Sequence, residues 1–247
     1  MKKRLMLALL LLTCSAAAAT AQVGGLDAKD AIRRGNEMYR RGEYEAAIRE
    51  YSEVTWAKGA VYALALYNIG VCDFELARTD EAIRMYRRAV FASGGRYPKA
   101  LYALGVALES SGRRADAKAA YRQAIATSDG TYTEARLAVA HYKLGLLNAY
   151  EGDYEGAAAL FREALARSKD RFPAAHNNLG VMLALAGRTA EAAPEFEIAL
   201  RQSDADFGEA AHNLELCRAL LSNKTRTAPA KAVAAGHFVL TPYVKGG

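Results

Sequence analysis

Residues 179–199 read LGVMLALAGRTAEAAPEFEIA, and the spacing within this stretch recurs along the chain. Gly180 is followed after 12 residues by Ala192, after four more by Phe196 and after three more by Ala199. Four other glycines begin the same series of an alanine, an aromatic residue and a small residue: Gly35, Gly70, Gly105 and Gly145. The five glycines lie 35, 35, 40 and 35 residues apart, so the chain contains five copies of one unit.

Each copy of the unit contains two helical stretches separated by a break. The break is a glycine in four copies (Gly42, Gly112, Gly152 and Gly187) and Ala77 in the other. Small residues recur where the two helices of a hairpin approach closely, and the aromatic residue fills the space between them. A single hairpin cannot bury that face, so neighbouring hairpins are expected to stack.

This Leu-Gly, late alanine and aromatic pattern resembles the tetratricopeptide repeat over residues 28–203. The resemblance implies five helix-turn-helix repeats in an all-α, right-handed superhelical solenoid. The pentatricopeptide repeat has a similar period but lacks the repeated Leu-Gly and the late alanine. The chain is therefore identified as a member of the tetratricopeptide group.

Two departures from the regular period carry structural predictions. A sixth copy begins at Leu214, but Glu215 replaces its glycine and no second helix follows, so residues 206–222 are predicted to form a cap helix. The longer spacing before Gly145 places five extra residues after Tyr132, where they lengthen the first helix of the fourth repeat.

The charge distribution argues against a nucleic-acid partner. The formal net charge of the chain is +6, but seven basic residues lie in its two ends, at 2–4 and in 224–245. The remaining body holds 26 basic and 27 acidic residues, a net charge of −1. A nucleic-acid-binding protein carries its positive charge on the folded surface, so this chain is not expected to bind nucleic acid.

The N-terminus reads MKKRLMLALLLLTCSAAAATA, which is typical of a secretory signal peptide. A basic start is followed by an apolar run too short to span a bilayer, and small residues precede an expected cleavage after Ala21. Residues 1–21 are thus predicted to be removed. Lipoprotein processing at Cys14 remains the alternative, and it is the only route to membrane association. Both routes place the protein outside the cytoplasm, as a periplasmic, secreted or lipid-anchored envelope protein.

Residues 223–247 show no helical period and are predicted to form a flexible tail. Within this tail the stretch FVLTPYV, residues 238–244, is apolar. It could dock on the repeats or on a partner, or it could be an unstructured end.

The resemblance also implies which residues face a partner, because first helices of such repeats line a concave groove. Those positions hold Tyr39, Tyr67, Phe74, Tyr102, Tyr142, Tyr150 and Asn177. Tyrosine offers apolar area and a hydroxyl at low entropic cost, which suits protein recognition. Some of these tyrosines could instead pack between repeats.

A partial match to the carboxylate clamp of some tetratricopeptide domains is also present. Asn36, Asn68 and Lys99 stand at clamp positions, whereas Ile32 and Ala103 replace two expected cations. The loss of two cations weakens carboxylate binding. Asparagines recur at the position of Asn68, as Asn178 and Asn213, which also suggests hydrogen bonds between neighbouring helices.

No pattern indicates an enzyme, a metal site or a cofactor. The four histidines are dispersed, and the sequence has no phosphate-binding glycine loop, catalytic triad order or paired-cysteine motif. We therefore expect a non-enzymatic scaffold that binds a protein partner, as a peptide or a helix, with no small-molecule substrate. A function in envelope or pilus assembly rests on analogy. The alternatives are a self-assembling scaffold filled by its own tail and, less favoured, a metal-binding or catalytic protein that uses its His and Asn residues.

Overall fold

The computed structural model describes residues 27–128, 130, 132–203, 207–223 and 238–242, without the side chains of Lys58 and Asn223. Throughout these residues the regular elements are helices. They are α1 (27–40), α2 (Tyr44–Ser52), a short 3-10 helix (Trp56–Lys58), α3 (Ala60–Glu75), α4 (Thr79–Ala92), α5 (Pro98–Ser110), α6 (Arg114–Ala126), α7 (Glu134–Tyr150), α8 (Tyr154–Arg167), α9 (Pro173–Leu185), α10 (Thr189–Gln202) and α11 (Gly208–Asn223). The predicted all-α class of helical repeats is confirmed.

The chain divides into two compact units, one up to Ala117 and the other from Lys118, so that the division falls within α6. In the first unit, α3 packs on α4 and α4 on α5, and Tyr51, Ala65 and Cys72 belong to its buried core. In the second unit, α7 packs on α8, α8 on α9, α9 on α10 and α10 on α11. Its core includes Phe161 and Phe196, both fully buried.

The repeated glycine and aromatic residue are in contact in four of the repeats, those of Gly35, Gly70, Gly145 and Gly180. A Cβ added to Gly180 would lie 2.7 Å from Cε1 of Phe196, and one added to Gly145 would lie 2.8 Å from Cε1 of Phe161. Real Cβ atoms do not approach other carbons so closely, so only glycine lets the ring pack against the first helix. This contact gives the Gly-to-aromatic spacing its physical reason, as the sequence predicted.

The break between the paired helices is a residue with positive φ. Gly187 has φ 79° between α9 and α10, and Ala77 adopts φ 57° at the corresponding point between α3 and α4. A left-handed residue ends one helix and lets the chain reverse, and it is unfavourable for a residue with a Cβ. Ala77 therefore replaces the usual glycine at some cost in backbone energy.

The first helix of the fourth repeat is longer than its counterparts. Gly145 is the twelfth residue of α7, whereas Gly180 is the eighth residue of α9. Relative to α5 and α9, α7 is thus extended by four residues, about one turn. Relative to α3, in which Gly70 is the eleventh residue, it is extended by one residue.

The predicted signal peptide 1–21 and Cys14 lie outside the described residues, as does most of 223–247. Within the tail, however, residues 238–242 are described, and they lie against the second unit. The apolar side chains and backbone of this segment find partners on the helices, as in the alternative in which the stretch FVLTPYV docks on the repeats. In the part of the chain that the structure describes, no helix is long and apolar enough to cross a membrane.

Candidate functional site

Three asparagines of the second unit are completely buried. Asn177 and Asn178 are consecutive residues of α9, Asn213 belongs to α11, and each has 0% exposed surface. A buried carboxamide without hydrogen-bond partners is costly, by roughly 1–3 kcal/mol from mutational data. The partners of these three side chains therefore define what the surrounding surface is built to hold.

Their partners are backbone groups of the C-terminal segment 238–242. The Asn213 amide donates to the Val239 carbonyl (2.8 Å), and the Asn213 side-chain oxygen accepts from the Val239 N–H (2.9 Å). Asn178 does the same for Thr241, accepting from its N–H (2.8 Å) and donating to its carbonyl (3.0 Å). Each asparagine thus satisfies the N–H and the carbonyl of one segment residue, and the two residues bound in this way, Val239 and Thr241, are two positions apart.

Asn177 connects these two pairs. Its amide donates to the Val239 carbonyl (3.2 Å) and to the Thr241 hydroxyl oxygen (2.9 Å), and its own oxygen accepts from the Asn213 amide (2.9 Å). The three carboxamides therefore form one hydrogen-bonded network that spans α9 and α11. Such a network orients each amide, because every donor and acceptor has a defined partner.

Tyr142 of α7 closes the network at the carbonyl of Thr241. Its hydroxyl donates to that carbonyl (2.5 Å) and accepts from the Asn178 amide (2.8 Å). Burial raises the pKa of the Tyr142 phenol well above its usual value, and the hydrogen bond from Asn178 acts weakly in the opposite direction. The phenol is consequently neutral at physiological pH and remains a donor.

The other side of the segment makes apolar contacts. The Phe238 ring stacks on Phe196, with ring centroids 6.2 Å apart and planes inclined by 12°, and Phe238 and Leu240 both pack against the buried core. Val239, between them, is 41% exposed. The covered apolar side chains are therefore two positions apart along the segment, with the exposed Val239 between them.

The arrangement binds an extended peptide by its backbone and two apolar side chains. The groups that contact the segment are carboxamides, a neutral phenol and apolar rings, so they offer hydrogen bonds and apolar area rather than charge or a titrating base. We call Tyr142, Asn177, Asn178, Asn213 and Phe196 the segment-binding face.

The residues proposed from the sequence have different environments. In the second unit, Tyr142 and Asn177 contact the segment, whereas Tyr150 is exposed at the end of α7. In the first unit, the Tyr39 hydroxyl donates to Glu75 (3.3 Å), and Tyr67 packs beside Tyr86 and Tyr97. Phe74 and Tyr102 are half-buried.

The three residues of the partial carboxylate clamp all make contacts within the first unit. The Asn36 oxygen accepts from the Tyr51 hydroxyl (2.8 Å) and, more distantly, from the Asn68 amide (3.5 Å). The Lys99 ammonium lies 4.7 Å from the centre of the Tyr67 ring, a cation–π contact. Asn36 and Asn68 thus meet, while Lys99 is positioned on a tyrosine.

Sequence reasoning missed Asn178, Asn213 and Phe196 as parts of the site. It assigned the recurring asparagines to bonds between helices, and Asn213 does bond Asn177, but their main partners are backbone groups of the segment. The available signals were the recurrence of asparagine at one repeat position and the apolar stretch FVLTPYV. The sequence left open that this stretch docks on the repeats, but neither signal indicates that the recurring asparagines are its partners.

Two histidines and two cysteines among the described residues have local environments within the helices. His176 Nδ1 lies 2.7 Å from the Glu195 carboxylate, while neither ring nitrogen of buried His141 has a hydrogen-bond partner. Cys72 and Cys217 are buried and form no disulfide. Over the described residues, no three His, Cys, Asp or Glu side chains are placed to hold a metal ion.

The helical hairpins and the segment-binding face define a class of protein: an all-α repeat protein whose second unit holds the chain's own segment 238–242 against its helices. A family model described as tetratricopeptide repeat matches residues 32–95, 73–132 and 142–207, which is more than half of the chain. The chain belongs to the tetratricopeptide repeat family, whose members generally bind protein or peptide partners.

Solved structures of tetratricopeptide proteins have the same fold. MamA is 25% identical over 72% of this chain and 92% of its own, with a TM-score of 0.60. YrrB, described as "a TPR protein with an unusual peptide-binding site", is 19% identical over 73% of this chain and 84% of its own, at 0.58. PilW, described as a "widely conserved type IV pilus biogenesis factor", is 20% identical over 85% and 90%, at 0.60. No curated protein sequence matches the chain.

Proposed function

We propose that this protein is a non-enzymatic adaptor whose second unit binds an extended segment of a partner protein. The observation that carries the proposal is the pairing of Asn178 and Asn213 with both backbone groups of Thr241 and Val239. Because the recognition is of backbone, a segment from another chain can make the same hydrogen bonds. The chain's own segment 238–242 then marks the place and direction of the partner.

The binding mode resembles the addition of a strand to a sheet edge, with side-chain amides in place of a neighbouring strand. Main-chain hydrogen bonds supply affinity that is independent of sequence, and alternate side chains supply selectivity. A solvent-exposed peptide satisfies its amides with water, so the face must replace those bonds completely. The three buried asparagines and Tyr142 do so for Val239 and Thr241.

The family and the fold relatives support an interaction function. Tetratricopeptide repeats generally bind proteins or peptides, and the description of YrrB names a peptide-binding site. We also propose that Tyr39, Tyr67, Phe74 and Tyr102, with the pair Asn36 and Asn68, give the first unit a partner-binding surface of its own. Lys99 would have to leave Tyr67 to bind a carboxylate there.

We place this adaptor outside the cytoplasm, in the cell envelope, with a function in envelope or pilus assembly. The support for the location is the N-terminal stretch 1–21, which has the composition of a signal peptide. The support for the assembly function is the fold shared with PilW, which is described as a pilus biogenesis factor.

The test uses the full chain with its own segment weakened by Phe238→Ala and Thr241→Ala. A labelled synthetic peptide of residues 236–244, GHFVLTPYV, is titrated into this variant by fluorescence anisotropy. We expect saturable one-to-one binding. Adding Asn178→Asp should weaken it by tenfold to a hundredfold, since the carboxylate cannot donate to the peptide carbonyl and the loss is about 1–3 kcal/mol.

Asn68→Asp provides the matched control, because Asn68 stands at the same repeat position in the first unit. That variant should bind the peptide as tightly as its parent. Equal binding by the Asn178→Asp and Asn68→Asp proteins would disprove backbone recognition by the segment-binding face.

The second candidate is a self-assembling scaffold whose face is filled by its own tail. The occupancy of the face by residues 238–242 is the observation that favours it. In that case the segment of one copy would sit on another copy, and the chain would associate in solution.

A further inference from the structure

The contacts of segment 238–242 distinguish its first four residues. Phe238 stacks on Phe196 and Leu240 packs against the core, whereas the side chain of Val239 lies at an exposed position. The Thr241 hydroxyl accepts a hydrogen bond from Asn177 (2.9 Å), a bond that no apolar side chain of similar size can provide. The face therefore discriminates among side chains as well as binding backbone.

We infer that the segment-binding face selects partner segments with the pattern aromatic, any residue, aliphatic, threonine, and that residues 238–242 are an internal copy of that ligand. This inference rests on the proposed function of the same face. The partner is thus a protein with an unmodified, extended and uncharged stretch of this pattern. A serine at this position can accept the same hydrogen bond from Asn177, although it lacks the methyl group of threonine.

The charge of the face supports an uncharged ligand. The groups that touch the segment are Asn177, Asn178, Asn213, neutral Tyr142 and the Phe196 ring, with no ion pair among the contacts described. Burial of an unpaired charge at Phe238 or Leu240 would carry a large desolvation cost. An acidic or phosphorylated residue at either position is therefore excluded as a ligand.

The residue after the threonine contributes through backbone conformation. Pro242 restricts the preceding Thr241 to extended geometry, the conformation in which its N–H and carbonyl both meet Asn178. Pro242 itself is exposed. A proline at this position thus pre-organises the ligand without adding a contact, and partner segments gain affinity from it.

The internal copy has a consequence for partner binding. A segment that belongs to the same chain as its binding face competes with any partner, because its binding is intramolecular and its effective concentration does not depend on the protein concentration. A partner segment must bind more tightly than the internal copy or be presented at high local concentration. Segments whose affinity for the face is lower than that of the internal copy therefore do not displace it.

The experiment compares substituted peptides on the full chain that carries Phe238→Ala and Thr241→Ala, with circular dichroism to verify its helical fold. In the 236–244 peptide we expect Phe238→Ala and Leu240→Ala to weaken binding about tenfold each, because each removes much of an apolar contact. Thr241→Val should weaken it threefold to tenfold. Val239→Lys should change it by less than twofold, since that side chain is exposed.

The outcomes separate this inference from the proposed function. If all peptides bind equally, the face binds backbone but the selectivity is wrong. If none binds, while circular dichroism shows an intact fold, the proposed function itself is wrong. The unsubstituted full chain gives a second measurement: its internal copy should weaken binding of the parent peptide at least tenfold, and equal affinity would contradict the competition.

The solution mass of the unsubstituted chain tests the other occupant. A monomer supports an internal copy that binds its own chain. A dimer that dissociates on Phe238→Ala would instead make a second copy the occupant and overturn the assignment to a partner protein.

Discussion

At the scale of single residues, burial alone does not determine what a polar side chain does. Asn178 and His141 are both buried on first helices of the second unit. Asn178 has hydrogen-bond partners on the segment and at the Tyr142 hydroxyl, whereas His141 has a partner at neither ring nitrogen. Asn178 belongs to the segment-binding face, whereas His141 is expected to make the free energy of unfolding depend on pH.

His141 should make the second unit less stable in acid. Burial lowers its pKa from the usual 6.5, with nearby Glu163 opposing and Arg167 reinforcing that shift. The unfolded chain therefore binds a proton more readily than the folded chain, and the stabilisation present above pH 6.5 is lost as pH falls toward the folded pKa. His141→Leu removes this contribution.

The measurement is urea unfolding at several pH values between 8 and 5. The free-energy difference between the unsubstituted protein and His141→Leu should shift in favour of the variant as the pH falls. Parallel pH profiles for the two proteins would show that His141 does not titrate differently on folding.

At the scale of elements, hairpin packing depends on a glycine opposite an aromatic ring. Gly180 leaves space on α9 for Phe196 of α10, and that ring is also the surface on which Phe238 stacks. The contact that holds one hairpin together thus also positions one wall of the segment-binding face. Packing and binding are coupled at this ring.

Gly180→Ala should destabilise the second unit by about 1–3 kcal/mol, the usual cost of overpacking, despite the better helix propensity of alanine. The reason is the 2.7 Å approach of the new Cβ to Phe196. The measurements are the midpoint of urea unfolding and the affinity for the 236–244 peptide. The affinity should fall because the Phe196 ring moves.

Gly208→Ala provides the control, because a Cβ at that position has open space around it. It should change stability by no more than about 0.5 kcal/mol. Phe196→Leu combined with Gly180→Ala should cost less than the sum of the two single changes, and simple additivity would exclude a direct clash.

At the scale of the whole molecule, charge and hydropathy are distributed by region. The excess of basic residues lies in the two ends of the chain, while the body between them has a net charge of −1. The basic N-terminal residues precede an apolar run, as in export signals. The body that contains the repeats is therefore near neutral, and the excess of positive charge lies outside it.

Export should be visible in the mass of the mature chain. Intact mass spectrometry of protein purified from the cell envelope should give a chain that begins at Gln22, after cleavage following Ala21. A mass that corresponds to a lipid-modified Cys14 would replace this route with lipoprotein processing. A full-length chain recovered from the cytoplasm would contradict export altogether.

The sequence predicted the helical hairpins because their determinants are local. Gly180 and Phe196 are 16 residues apart on consecutive helices, and the same pair recurs in every repeat, so the periodic pattern directly reflects the contact. The longer α7 was predicted for the same reason, since the 40-residue spacing between Gly105 and Gly145 departs from the 35 residues of the other repeats. Tyr142 and Asn177 could be proposed as site residues from the sequence, because repeat position indicates which side of a helix a residue occupies.

The segment-binding face required the tertiary structure. Asn177 and Asn213 are 36 residues apart, and Asn178 meets Thr241 across 63 residues of chain. The tail has no repeat, so the periodic pattern cannot indicate which repeat it contacts. A side-chain carboxamide can also bond any extended backbone, so the asparagines alone do not identify the segment they bind. The amino-acid sequence by itself thus determined the hairpins, whose contacts are short-range and periodic. Only the tertiary structure decided that the buried asparagines hold the chain's own C-terminal segment, because that choice depends on long-range hydrogen bonds.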